Sequence, residues 1–236
     1  MTPPEESLVR AAARNNAEWC ESVSRSHGLV SRFGPRAWTA PARTPLFYPD
    51  AVTLEPGADA EALLAGIDMA ASGASVKDSF ADLDLSGAGF HVLFAAQWFH
   101  RPPGAPASAS GLRLQRADTP DALREWANAW DDREGHADLF RPELLEDPAV
   151  FVLSGTSAEG RVVAGAVANR SGDVVGVSNV FALESDTEAA WPFVLEAVHR
   201  LFPALPVVGY EHGEDLEAAM RHGCSPIGPL RVWAHD

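Results

Sequence analysis

The chain has 236 residues, a hydrophobic content of 46% and a formal net charge of −15. Its length and apolar content suffice to bury the core of one large or two small globular domains. The net negative charge opposes binding to nucleic acid and to anionic membranes, so we expect neither as a partner. No segment approaches ~18 consecutive apolar residues, and residues 1–10 lack the apolar region of a signal peptide. We therefore expect a cytoplasmic protein.

The cysteines and histidines show no metal-binding pattern. Cys20 and Cys224 lie far apart in sequence and form no C-x-x-C motif, and the histidines form no H-E-x-x-H motif. The sequence therefore predicts two free thiols and no metal site.

The first half of the chain, residues 1–100, predicts an α/β arrangement. Apolar residues at helical spacing, among them Leu8, Trp19 and Val23, predict a helix that ends at Gly28. A segment rich in proline and aromatic residues predicts an ordered covering loop. The predicted elements are a helix over 7–28, the loop over 33–49, a strand over 51–54, a helix over 59–67 and a strand over 89–100, with 75–84 ambiguous.

A proline- and alanine-rich linker over 101–111 predicts the boundary to a second domain, 112–236. Thr119 and Pro120 are the residues that favour a helix start. Two valine-rich stretches, 161–169 and 173–182, predict a hairpin that turns at Gly172. The other predicted elements are strands over 112–116, 149–153, 206–210 and 227–233, and helices over 141–146, from Glu184 to Phe202, and over 214–222.

This order of elements resembles the GNAT acyltransferase fold over about residues 112–236. The valine-rich strands resemble the family's third and fourth strands, and Met220-Arg-His-Gly-Cys-Ser-Pro-Ile-Gly228 resembles its ending of helix, glycine and strand. The resemblance implies an α+β fold with a mixed, mostly antiparallel central sheet flanked by helices.

The resemblance also implies a cofactor, acetyl-CoA or another acyl-CoA. In the family this cofactor lies between the fourth and fifth strands, here 174–182 and 206–210. Its pyrophosphate lies at the start of the following helix, where free N–H groups favour an anion. The implied cofactor-binding residues are Val180, Phe181, Ala182, Thr187, Glu188 and Ala189.

The stretch from Glu184 to Trp191 departs from the family's phosphate loop. Asp186 stands where Arg or Gln is expected, and Ala189 stands at a Gly. Acidic side chains repel a pyrophosphate, and screening reduces that repulsion without reversing it. The alternative interpretation is an ordinary helix start, with Ser185 and Glu188 forming a capping box.

Catalytic residues are less clearly indicated. Ala219 stands where family members often carry a tyrosine that protonates the leaving thiolate. The resemblance makes Glu184 the candidate base, with Asn179 or Ser178 holding a water. The alternative is a solvated carboxylate and a strand-bulge asparagine. The acidic segment 131–138 suits an amine acceptor and is alternatively a solvated loop.

The predicted function is transfer of an acyl group to a small amine or a peptide amino terminus, and we also expect a homodimer. The alternative is a GNAT-derived binding or assembly module without catalysis, with its cofactor cleft filled by side chains, Trp191 first.

Residues 52–100 and 207–235 share the order of short strand, acidic helix, glycine and long strand, which places the helix over 59–67 opposite the helix over 214–222. Both stretches end alike, in Trp98-Phe-His100 and Trp233-Ala-His235. This repeat predicts that the first half is a reduced copy of the same fold. An unrelated N-terminal extension is the alternative.

Overall fold

The computed structural model describes residues 5–104, 110–183 and 187–236. The chain forms two compact units, one of Met1–Trp98 with Ile227–Asp236 and one of Phe99–Pro226. The sequence predicts a division into 1–100, a linker over 101–111, and 112–236. The two divisions differ at the end of the chain, because the structural one places Ile227–Asp236 in the first unit. Part of the predicted linker, 105–109, lies outside the described residues.

Helices and strands occur close to the positions predicted for most of them. In chain order they are α1 (Glu5–Ser26), β1 (Arg32–Phe33), β2 (Ala37–Thr39), β3 (Ala51–Thr53), α2 (Ala60–Leu64), β4 (Ser75–Asp78), β5 (Phe90–Arg101), β6 (Arg113–Arg116), α3 (Pro120–Trp130), β7 (Val150–Thr156), β8 (Val162–Ser171), β9 (Val174–Ala182), α4 (Trp191–Leu201), β10 (Val207–Glu211), α5 (Gly213–Arg221) and β11 (Ser225–His235). Short 3₁₀ turns lie at Ser86–Ala88, His136–Leu139, Pro142–Glu146 and Thr187–Ala190.

The sheet of the first unit has the strand order β1-β2-β3-β4-β11-β5. The pairs β1–β2, β2–β3 and β4–β11 are antiparallel, whereas β3 and β4 are parallel and are joined through α2. Arg231 to Ala234 of β11 pair with Ser75 to Asp78 of β4. The last strand of the chain therefore completes the sheet of the first unit.

The helix α1 covers this sheet with its predicted apolar face. Leu8, Trp19 and Val23 are buried, and Cys20 packs with Trp38 of β2. Removing these side chains from water stabilises the unit in proportion to the apolar area buried. Cys20 and Cys224 are both buried and free, which confirms the prediction of free thiols.

The predicted covering loop contains two short strands, β1 and β2, that the sequence did not indicate. Trp38 of β2 is fully buried, and its indole N–H donates to Glu21 at 2.8 Å. The buried Asp50 carboxylate accepts from the Thr44 N–H and the Ser75 N–H, each at 2.9 Å. Strand pairing and these buried bonds order a segment whose prolines and aromatics suggested irregular structure.

The sheet of the second unit contains the order β10-β9-β8-β7-β6. The pairs β6–β7, β7–β8 and β8–β9 are antiparallel, and β9 and β10 are parallel and joined through α4. The predicted hairpin is β8–β9, with Gly172 at φ 54° in its turn. The Thr119 side chain accepts from the Ala122 N–H at 3.2 Å, which confirms the predicted start of α3. Mixed, mostly antiparallel sheets flanked by helices agree with the predicted fold class.

The helix α4 forms the core of the second unit with β8 and β9. Phe193, Val194, Ala197 and Val198 are buried as predicted. Leu201, which the helical spacing placed in the same stripe, is 40% exposed, because it stands at the helix end. No helix in the described part of the chain is long and apolar enough to span a lipid bilayer.

Each unit thus contains one parallel strand pair joined by a helix, β3–α2–β4 in the first and β9–α4–β10 in the second. This correspondence aligns α2 with α4. The repeat read from the sequence instead aligned α2 with α5, because both follow a short strand and carry acidic residues.

Candidate functional site

The parallel ladder between β9 and β10 is short and ends before the carboxyl ends of the two strands. Val175 pairs with Val207 and Gly176 with Val208, and within the described residues no register pair follows. Gly209 marks a close approach, since a Cβ there would lie 2.8 Å from the Val177 carbonyl oxygen. Both strands continue beyond this point, to Ala182 and Glu211, without a further register pair among the described residues.

A β-bulge bends β9 just beyond the end of this ladder. Gly165 of β8 pairs with Phe181 and Val167 pairs with Ser178, so two residues of β9, Asn179 and Val180, stand opposite Ala166. Asn179 has φ 53°, a left-handed conformation that asparagine tolerates better than most residues. Such a bulge increases local twist and redirects the strand. Asn179 thus lies in a strand bulge, and its proposed role in holding a water stays a prediction.

The bent half of β9 carries four of the predicted site residues. Val180 and Ala182 are partly buried against the core cluster of the second unit. Phe181 is buried, and its ring lies 5.5 Å from that of Trp126 in an edge-to-face contact. The Ser178 hydroxyl oxygen is buried and has no hydrogen-bond partner among the described residues. A buried polar atom without a partner is a costly feature that a bound ligand or water would relieve.

The turn before α4 carries the predicted phosphate-loop residues Thr187, Glu188 and Ala189. The Glu188 carboxylate accepts two hydrogen bonds from Arg221 of α5, at 3.0 and 2.6 Å. This contact lowers the pKa of Glu188, mainly through the hydrogen bond from Arg221. The negative charge predicted to repel a pyrophosphate is therefore paired at this position.

The helix α4 begins without a capping side chain among the described residues. Ala190 is at its N-cap position, and Pro192 is at the helix start, where its missing N–H costs no hydrogen bond. The predicted capping box depends on Ser185, which lies outside the described residues, as do Glu184 and Asp186.

Trp191, the first residue of α4, lies in the core of the unit. It is fully buried, and its ring meets that of Phe99 edge to face at 5.6 Å. Its indole nitrogen has no hydrogen-bond partner among the described residues. The core cluster that contains Trp191 also contacts Val180, as the hypothesis of a filled cleft predicts.

Two residues near this site were missed by the sequence-based reasoning. Glu211 ends β10, and burial, together with the nearby charge of Asp215, raises its pKa to about 8. Its sequence signal was a carboxylate directly after the apolar strand Val207–Tyr210. Arg221 had no such signal, because its partner Glu188 is 33 residues away.

The acidic segment 131–138 is ordered around Asp131. The Asp131 carboxylate lies 2.8 Å from the His136 ring nitrogen and is also bonded by the Arg133 guanidinium, which is the main cause of its lowered pKa. Its negative charge is thus already compensated by Arg133. No group of three or more potential metal ligands occurs within the described ranges.

Comparison by sequence finds no matching protein-family model and no matching curated protein. Solved structures do match. A GCN5-related N-acetyltransferase from Kribbella flavida aligns over 95% of both chains with a TM-score of 0.62 and 15% identity. A GCN5-related N-acetyltransferase from Sphaerobacter thermophilus aligns over 98% of this chain and 91% of its own, with a TM-score of 0.51 and 14% identity. A tandem GNAT protein from the clavulanic acid biosynthesis pathway aligns over 95% of both chains, with a TM-score of 0.52 and 13% identity.

The chain has the GNAT fold. This confirms the resemblance drawn from the order of elements in residues 112–236. The structural likeness also extends further than that resemblance, since it covers the first half of the chain as well.

Within this GNAT fold, the predicted site residues gather around one strand end. Asn179, Val180, Phe181 and Ala182 lie on the bent half of β9, and 187–189 lie in the turn before α4. Their roles stay predictions. Ala219 is fully buried and has no proton to donate, and burial raises the pKa of the Cys224 thiol to about 12.

Proposed function

We propose that this protein is an acyl-CoA-dependent N-acyltransferase, most simply an N-acetyltransferase, acting on a small amine or a peptide amino terminus. The observation that carries the proposal is the end of the β9–β10 ladder at Gly176 and Val208, next to the bulge at Asn179. Strand ends without ladder partners leave backbone groups available to a ligand that binds beside them.

Residues of the bent strand and the following turn fit the cofactor. Backbone groups at Val180, Phe181 and Ala182 would pair with its pantetheine arm. The turn at 187–189 and the start of α4 would hold its pyrophosphate, since this helix lacks a side-chain cap among the described residues. The unpartnered Ser178 hydroxyl supports a polar ligand in the same place. The bound cofactor would supply the activated acyl thioester.

Glu211 is the side chain we propose to accept the proton of the attacking amine. An amine is mostly protonated near neutral pH and must lose that proton before its nitrogen can form an amide. A carboxyl group whose pKa is about 8 is far more basic than an ordinary glutamate. Only its deprotonated form accepts a proton, so turnover should rise as the pH increases towards 8. Glu184 remains the second candidate for this role.

Isothermal titration of the full-length protein with acetyl-CoA tests the proposal. We expect saturable binding at micromolar to low-millimolar concentration, and release of CoA when a panel of small amines is added. Glu211→Gln should retain binding and lose turnover, whereas Glu214→Gln, on the exposed start of α5, should change neither. Absence of binding at millimolar acetyl-CoA by a folded protein would overturn the proposal.

A second candidate function is a GNAT-derived binding or assembly module without catalysis. The burial of Trp191 against Phe99, in the cluster that also contacts Val180, favours it. This alternative predicts a folded protein that neither binds acetyl-CoA nor acquires binding when Trp191 is replaced by a smaller residue.

We also propose that the protein is a tandem of two GNAT-like units, of which the first is a reduced copy. The parallel crossover β3–α2–β4 in the first unit supports a reduced GNAT-like copy there.

A further inference from the structure

The first unit contains a surface groove between the β1–β2 turn and α2. Its volume is about 380 Å³, which is near the small end of ligand pockets, roughly 300 to 1,000 Å³. Apolar side chains form much of its lining, from the strands, the turn and the helix. They are Phe33, Pro35, Ala37, Ala58, Ala62 and Leu63.

Two arginines, Arg32 and Arg36, also line the groove. Arg36 donates through one nitrogen to the carbonyl oxygens of Pro56 and Gly57, at 2.9 and 3.0 Å. These bonds hold its guanidinium at the groove and leave its other N–H groups for a ligand. Neither arginine forms an ion pair with a carboxylate of the described residues, in a chain whose net charge is −15.

Other arginines of the same unit are neutralised. Arg10 pairs with Glu6 and Glu55, and Arg14 pairs with Glu18. Two unneutralised guanidinium groups beside an apolar floor therefore stand out as a local positive charge. A ligand that matches both features has an apolar body and an anionic end.

The carboxylate that lines the groove, Asp59, is already engaged. Its oxygen accepts from the Ala62 N–H at 2.8 Å and caps α2. Nearby, Asp82 accepts from the Gly57 N–H at 2.7 Å. Because acidic side chains use these two backbone donors, the loop is a poor cradle for a diphosphate. Recognition of an anion must come from Arg32 and Arg36, which suits a single carboxylate.

We propose that this groove binds a small monocarboxylate with an aliphatic or aromatic body. The carboxylate would lie against Arg32 and Arg36, and the body would cover Phe33 and Leu63. This binding is independent of acyl transfer in the second unit, and either activity can fail without the other.

Hexanoate is a suitable probe, with hexylammonium as the matched ligand of opposite charge. Two-dimensional ¹H–¹⁵N NMR of the full-length protein reports both binding and its place. We expect hexanoate to shift amide signals within 32–39 and 58–63, with saturation at roughly millimolar concentration for so small a ligand. Hexylammonium should cause no such shifts.

Three groove variants and two control variants sharpen the test. Arg32→Gln and Arg36→Gln should each weaken hexanoate binding about tenfold, the factor that corresponds to ~1.4 kcal/mol. Ala62→Trp, at an exposed position that lines the groove, should abolish binding. Arg170→Gln, an exposed arginine of β8, and Ala65→Trp, at the exposed end of α2, should leave it unchanged.

Three results would overturn the proposal. The first is the absence of shifts in 32–39 and 58–63 with hexanoate at tens of millimolar. The second is equal binding of hexylammonium, which would remove the role of the arginines. The third is tighter binding of acetyl-CoA or pyrophosphate at the same amides, which would identify the groove as a diphosphate site.

Discussion

Two parallel strand–helix–strand crossovers, one in each unit, differ in how their helices begin. In β3–α2–β4 the helix has five residues and begins at a capping carboxylate, Asp59. In β9–α4–β10 the helix has 11 residues, follows a bulged strand and begins at Ala190 with no capping side chain among the described residues. A helix start can bind an anion only where its N–H groups are free. The second crossover is therefore the better candidate for a phosphate, although the strand–helix–strand order is the same.

The second crossover should depend strongly on the buried residue at its helix start. Trp191→Ala removes a fully buried indole and should lower the free energy of unfolding by about 3–5 kcal/mol. Trp191→Phe should cost less than about 1.5 kcal/mol, because it keeps a ring against Phe99 and removes an unpartnered N–H. Urea unfolding followed by circular dichroism measures both. Equal losses for the two variants would show that the packing argument is wrong.

The close approach of β9 and β10 should not tolerate a side chain. A Cβ at Gly209 would lie 2.5 Å from a Phe99 ring carbon and 2.8 Å from a backbone oxygen, so Gly209→Ala should cost about 1–3 kcal/mol. The matched control in the first unit is Gly87→Ala, where nothing lies within 4 Å. Its stability should stay within about 0.5 kcal/mol of the unchanged protein.

Glu211 should make the stability of the protein fall as pH rises. Folded Glu211 holds its proton up to about pH 8, whereas the unfolded chain releases it near the ordinary value of 4.5. Between these values the folded state binds more protons than the unfolded chain, so the free energy of unfolding decreases as the pH rises from 5 to 8. Glu211→Gln should flatten this dependence, as urea unfolding at a series of pH values would show. If the stability of the unchanged protein and of Glu211→Gln showed the same pH dependence, Glu211 would not be its cause.

The capped start of α2 should contribute about 1 kcal/mol to the first unit. Asp59→Ala removes the acceptor of the Ala62 N–H and should lower stability by that amount, whereas Asp59→Ser keeps a capping oxygen and should cost a few tenths of a kcal/mol. Urea unfolding of the two variants distinguishes the contribution of the capping hydrogen bond from that of the negative charge. A larger loss in Asp59→Ser than in Asp59→Ala would contradict the capping role.

The smallest expected effect concerns the ion pair beside α4. Glu188 and Arg221 are partly exposed, so Glu188→Gln should change stability little. The same change removes a negative charge near the helix start, so it should tighten acetyl-CoA binding about threefold. Titration calorimetry measures this change. Glu143→Gln, at an exposed position of the second unit, is the matched control and should not alter affinity.

Local sequence features were sufficient for most of the elements. Two valine-rich stretches predicted the β8–β9 hairpin, and Gly172 predicted its turn. Thr119 and Pro120 predicted the start of α3, because a capping hydroxyl acts on an N–H three residues away. Each of these signals involves residues that are close in the chain. The order of these elements then sufficed to predict the GNAT fold.

The details of the candidate site were decided by contacts between distant residues. The pairing of Glu188 with Arg221 and the bulge at Asn179 depend on neighbouring elements. The raised pKa of Glu211 depends on burial in the folded chain, which no local pattern of charge reveals.

The same reason explains the last strand and the groove of the first unit. The sequence predicts a strand within Ser225–His235, but it does not determine which strand this one pairs with. Its pairing with β4 is set by the tertiary fold. Arg32 and Arg36 are ordinary surface arginines in the sequence, and they become a joint feature only when α2 packs beside β1 and β2. The sequence by itself determined the elements and their order, because these follow from local propensity and periodicity. Tertiary structure decided which charges are paired, buried or left free, because these follow from residues that are close only in space.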